Sequence, residues 1–210
     1  MTYGIQFTND NNVVTLDSEF SRLVVLQRGR YQGGAAFSAT ITSAEPPLVF
    51  VRPDATTTFS YASITGSPGA WTGFSFLGGG TGNFFVAAYS SSPTANYGIR
   101  IWDGASKLLF DSGTPCAQFT RTISAWTYLG STPTGQGTSR SVWTAPSPLN
   151  TGDFMLINNI GMDVASTTNG RSAKLYCTWD YANNGLSVYI VGVANSTSFF
   201  VPVVFAKPIT

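Results

Sequence analysis

The chain has 210 residues and a formal net charge of +1, with only 10% of its residues charged, against roughly 25% in an average soluble domain. That balance excludes the electrostatic footprint of a nucleic-acid binder or of a protein drawn to anionic membrane. The absence of histidine removes the commonest general base and the commonest metal ligand. Aromatic residues at 14%, with 22 glycines and 11 prolines, describe a turn-rich β protein, because a disordered chain has few aromatics and a high net charge.

Residues 3–18, YGIQFTNDNNVVTLDS, recur without a gap 94 residues later as 97–112, YGIRIWDGASKLLFDS. Tyr3, Gly4, Asp17 and Ser18 return as Tyr97, Gly98, Asp111 and Ser112. Each copy is apolar, then polar, then apolar, which predicts two short strands and a turn. Between the copies, RLVVLQRGRY (22–31), AAFSATIT (35–42) and LVFVRP (48–53) read as strands. In 57–89, Trp71, Gly73 and Ser75 alternate with Thr72, Phe74 and Phe76, which predicts opposite faces. Gly78-Gly79-Gly80 lacks the GK[ST] ending of a phosphate loop and reads as a turn.

After Ser112, AQFTRTISAWTYLG predicts one long strand, and GSTPTGQGTS (130–139) a flexible polar loop. FMLINNIG (154–161) reads as a strand. In RSAKLYCTWDY (171–181), Ala173, Leu175, Cys177 and Trp179 share the core face. Asn183-Asn184-Gly185 joins this strand to LSVYIVGVA, and SFFVPVVFA ends the chain. Pro202 within that last run predicts an edge strand or a bulge, because proline cannot donate to a ladder. About sixteen short strands without a helical pattern predict an all-β fold, an antiparallel β-sandwich. The repeat suggests two related β units, 1–95 and 96–210, with a single compact body as the alternative.

The chemistry-bearing residues are sparse. Asp17 with Glu19, or Asp103 with Asp111, could supply the two carboxylates of a glycan hydrolase. Asp17 and Asp111 are better read as turn residues, each followed by a serine in an Asx-type turn. No histidine exists to activate a serine, and there is no GxSxG elbow. No catalytic group, cofactor or metal is therefore expected, and the reading is non-enzymatic. Cys116 and Cys177 are expected as buried reduced thiols, with a disulfide as the alternative. Trp102 and Trp179 fall on strand patterns and read as core or interface. Trp126 and Trp143 flank the 130–139 loop and, with Arg140, are candidate contacts for a partner or a sugar ring. Packing beneath their own loop is the competing reading for the two tryptophans.

The two hairpins, YGIQ…LDSE and YGIRIWDGASKLLFDSG, resemble those of small tailed-bacteriophage virion proteins encoded among tail-tip and tail-fibre genes. LVFVRP is a weaker third point of likeness. The resemblance implies a structural protein of the distal tail, a tail tip or fibre component supporting host attachment. Its partners would be other tail proteins, and a host surface glycan or pilus. A homotrimer is expected, since fibres and their adaptors commonly have that symmetry. The chain opens MTYGIQF, without the basic and apolar regions of a secretory signal, so synthesis in the host cytoplasm and residence in the virion are expected. No apolar run reaches the roughly 18 residues of a membrane helix. A lectin-like carbohydrate-binding module is the alternative function, and a glycan depolymerase a more distant one.

Overall fold

The computed structural model describes residues 6–8, 10, 14–17, 21–91, 94, 96–135, 138–146, 152–160, 163–166, 170–193 and 197–209. These hold eighteen strands and no helix. In chain order they are β1 (Gln6–Thr8), β2 (Val14–Asp17), β3 (Val24–Gln32), β4 (Gly34–Ile41), β5 (Leu48–Pro53), β6 (Thr57–Ser67), β7 (Ala70–Gly78), β8 (Thr81–Ala88) and β9 (Arg100–Trp102). The second half continues with β10 (Leu108–Asp111), β11 (Cys116–Ile123), β12 (Thr127–Gly135), β13 (Thr138–Pro146), β14 (Phe154–Leu156), β15 (Asp163–Ser166), β16 (Gly170–Asp180), β17 (Gly185–Val193) and β18 (Val203–Ile209).

Every pairing between them is antiparallel. Six strands close a barrel in the order β11-β18-β14-β5-β8-β3, and a larger sheet runs β12-β13-β17-β16-β6-β7-β4 with β15 beside β16. The break between residues 95 and 96 is not a break between sheets. The barrel combines β3, β5 and β8 with β11, β14 and β18, and β6 pairs with β16 in the larger sheet.

Strand alternation builds the body. On β5, Val49 and Val51 turn toward the larger sheet, while Phe50 between them joins a second cluster with Phe85, Val25 and Ala206. All six barrel strands contribute to that second cluster, directly or through partly buried Ala117, Phe154 and Leu156, so it is the barrel's filling. Phe50 and Phe85 stack there at 4.7 Å. The main core lies between the barrel's outer face and the larger sheet, where Met155 and Phe205 meet Phe59, Leu175, Cys177 and Trp179. Burying one such side chain contributes on the order of 1.5–3 kcal/mol. The architecture is that of antiparallel sheets packed face to face, one of them curled on itself.

Several expectations are corrected. Trp71 does not oppose Phe74 and Phe76. The β6–β7 ladder slips between Thr65 and Gly66, and this bulge returns Trp71 to the core face that Phe74 and Phe76 occupy. Residues 130–139 are not one loop, because β12 and β13 pair through Thr132–Arg140 and Pro133–Ser139. The run of threonines and serines suits a solvated edge strand, and Pro133 is tolerated because β12 ends its sheet. The long strand expected after Cys116 divides at residues 124–126, β11 going to the barrel and β12 to the larger sheet. Likewise 154–161 is a strand only to Leu156, and a turn follows. β18 is flanked by β11 and β14 rather than lying at an edge, and it begins at Val203, so Pro202 stands just outside the ladder.

The triple glycine turns the chain from one sheet to the other. Gly78, Gly79 and Gly80 take φ of 84°, 61° and 53°, and a Cβ on Gly79 would fall 1.8 Å from the Phe76 ring. Asp180 caps the β16–β17 turn, accepting hydrogen bonds from the Asn183 backbone N–H and side-chain amide.

Candidate functional site

The repeated motif forms two hairpins of the same register, each a two-stranded sheet of its own. In the first, Gln6 faces Asp17, Phe7 faces Leu16 and Thr8 faces Val14. In the second, Arg100 faces Asp111, Ile101 faces Phe110 and Trp102 faces Leu108. Each ladder slips at the same place, opposite the residue after the second pair. Tyr3, Gly4 and Ser18 lie outside the described residues, as does the side chain of Asp17.

The second hairpin shows why its motif residues are what they are. Asp111 is buried and gathers its surroundings. It accepts from Arg100 Nε at 2.7 Å, from the Gly113 N–H at 2.8 Å and from the Thr94 hydroxyl at 3.2 Å. The Arg100 guanidinium, with the donors from Gly113 and Thr94, holds its carboxyl down at about 2, against burial that acts the other way. Ser112 Oγ accepts from the Ile99 N–H at 3.0 Å. A Cβ at position 98 would meet that oxygen at 2.1 Å, and Gly98 has φ of 129°, so glycine and serine are required together. At the turn, Asp103 Oδ1 accepts from the N–H groups of Ala105 and Lys107. An isolated two-stranded sheet is marginal in water. Here the carboxylate, with buried Ile101 and Leu109, ties the strands down.

Tyr97 has no such role. It is 90% exposed, beside Ile99 at 56% and Trp102 at 51%. These three line an open cleft of about 440 Å³, together with Asn96, Arg100 and Asp111. Trp102 is thus a surface residue, whereas Trp179 is fully buried. An exposed Trp and Tyr around a fixed ion pair supply a rigid apolar contact area at little cost in side-chain entropy.

The other predicted contacts lie elsewhere and apart from one another. Trp143 is 1% exposed and its indole N–H donates to the Thr197 carbonyl, so it is a core residue and not a contact. Trp126 is half-buried, donates to the Val201 carbonyl and stands edge-on to Phe199. Arg140 projects from the opposite face of the larger sheet, 4.1 Å from the Tyr189 ring, which itself stacks on Tyr176. The signal for Trp143 was its place in an alternating strand, Val142 outward and Trp143 inward, masked by the polar run before it.

Among the described residues, no three His, Cys, Asp or Glu side chains stand close enough to hold a metal ion. Cys116 and Cys177 are free thiols. Cys177 is buried, and burial pushes its thiol up to about 12. Arg121 and Asp153 form a largely buried pair at 3.3 Å, with the guanidinium over the Phe205 ring. Among the described residues, no helix is long and apolar enough to cross a membrane.

No family model, curated protein or solved structure matches the chain. The functional reading therefore stands on the site's geometry and on the hairpin motif.

Proposed function

We propose that the chain is a structural protein of a bacteriophage tail, at the tail tip or fibre, and that its second hairpin is a docking element of host attachment. One observation carries the reading. Of the motif residues that recur, Gly98, Asp111 and Ser112 of the second hairpin are accounted for by its own construction, but Tyr97 is nearly fully exposed. With Ile99 and Trp102 it makes an aromatic contact surface on a rigid base, as expected of a contact hot spot. The resemblance of both hairpins to virion proteins of the distal tail, and a low-charge all-β body, support the same reading. The role is non-enzymatic. The partners are other tail proteins, with a host glycan or pilus as the outward target, and the chain acts as a homotrimer in the virion.

Immunogold labelling of phage particles carrying the gene tests the placement, with label expected at the distal tail. Label on the head, or on no particle, rejects it. Light scattering on the purified chain tests the assembly, and a monomer rejects the trimer. A particle in which Tyr97 and Trp102 are both alanine is expected to lose the protein from the tail or lose adsorption, while the purified double variant keeps its unfolding midpoint.

A further inference from the structure

The open end of the barrel gathers positive charge in a chain that has little. Arg30 faces Asn83 across the β3–β8 ladder, and Asn83 faces Arg52 across β8–β5. One rung inward, Arg28 faces Phe85 and Phe85 faces Phe50. Alternation puts all six on the barrel's inner face. Arg28 and Arg30 on β3 and Arg52 on β5, three of the chain's eleven basic residues, thus flank β8 on its two sides, and Arg52 is engaged by Tyr181. Asp54 offsets part of this charge. It takes both Arg30 guanidinium donors and the Thr81 hydroxyl, and it is held at about 2. Arg28 is in no described ion pair. It borders a cleft of about 360 Å³ whose apolar wall includes Phe154 and Pro208, with buried Phe85 behind them. That volume lies within the roughly 300–1,000 Å³ of small-molecule sites. Phe85 and Phe154 meet edge to face at 5.1 Å, so the wall is fixed.

We propose that this cleft binds an acidic sugar, its carboxylate on Arg28 and its ring against Phe154 and Pro208, with Asn83 taking a hydroxyl. A guanidinium matches a planar carboxylate with two parallel hydrogen bonds. An amide both donates and accepts, as a sugar hydroxyl requires. The apolar wall suits the C–H face of a pyranose and would serve a bare anion poorly. A nucleic acid would need a broad basic surface that a net charge of +1 does not provide. The site is independent of where the chain sits in a particle.

Titration of the purified protein with sodium glucuronate, followed by NMR or calorimetry, tests it, with glucose, acetate and sulfate as comparisons. Glucuronate is expected to bind saturably, and each comparison ligand about tenfold more weakly or worse. Arg28→Gln is expected to weaken glucuronate by about tenfold to a hundredfold, and Arg28→Lys by less, because it keeps the charge and loses the fork. Lys174→Gln, on β16 of the larger sheet, is expected to change nothing. Because Arg28 is exposed, its variants should keep the wild-type circular dichroism and unfolding midpoint. Equal binding of glucose removes the role of charge, and equal binding of acetate or sulfate removes the sugar. No saturable signal, or an unaffected Arg28→Gln, overturns the proposal.

Discussion

The barrel and the second hairpin are held together in opposite ways. Inside the barrel, Phe50, Phe85 and Ala206 are withdrawn from water, and stability comes from apolar area. The hairpin does the reverse, enclosing a carboxylate and presenting its Tyr, Ile and Trp to solvent. A body fixed by burial leaves a surface element free to spend its apolar side chains on a partner, provided polar bonds replace the missing core.

Removing body groups should break that contrast most severely. Phe85→Ala takes away the partner of both Phe50 and Phe154 and is expected to cost about 3–5 kcal/mol, seen as a fall in the urea midpoint. Gly79→Ala places a methyl group in the Phe76 ring at a positive φ. It should cost about 1–3 kcal/mol, measured in the same way; an unchanged midpoint would mean that the sheet-crossing corner is not fixed.

The hairpin should respond locally. Asp111→Asn is expected to speed hydrogen exchange at the Gly113 N–H and around the hairpin while core strands β5 and β8 keep their protection. Global unfolding would show that the carboxylate belongs to the body after all. The pH dependence has a defined sign. The folded carboxyl is depressed from an ordinary 3.8 to about 2, so its stabilisation is complete above the ordinary value and is lost as the pH falls through about 2. The Ile99 amide resonance should therefore stay native at pH 5 and move only as the pH drops below about 4.

Smaller effects sharpen the comparison. In the native protein a thiol reagent should modify half-buried Cys116 and spare Cys177, with both reacting after denaturation. Trp102→Ala should change the unfolding free energy by no more than about 0.5 kcal/mol, since Trp102 is a surface residue, 51% exposed.

Much of this was legible in the chain. Alternation in 171–181 gave the core face of β16, and the 94-residue repeat gave two hairpins whose registers coincide. What escaped depends on long-range pairing. The bulge opposite Thr65 and Gly66 reverses the facing of Trp71, and no local pattern marks it. Residues 130–139 looked like a loop because threonine and serine are polar, yet an edge strand with a solvated face needs nothing more apolar. The site was legible only in part. Asp111 and Ser112 were readable as turn formers, whereas the exposure of Trp102 depends on the hairpin standing apart from both large sheets. That Arg28 and Arg30 stand across β8 from Arg52 depends on the register of three strands.

The barrel's closure has a mechanical side. β3 and β11 touch only around Val24 and Cys116, through hydrogen bonds from the Val25 N–H to the Pro115 carbonyl and from the Ala117 N–H to the Leu23 carbonyl. On its other edge β3 is zipped to β8 from Val24 to Gln32. Tension drawing β3 away from β11 falls on those two bonds at once, while the same load on β3 and β8 is shared along a whole ladder. Among the barrel's six seams this one has the fewest paired residues, so a pull directed across it is expected to part the barrel along that line first.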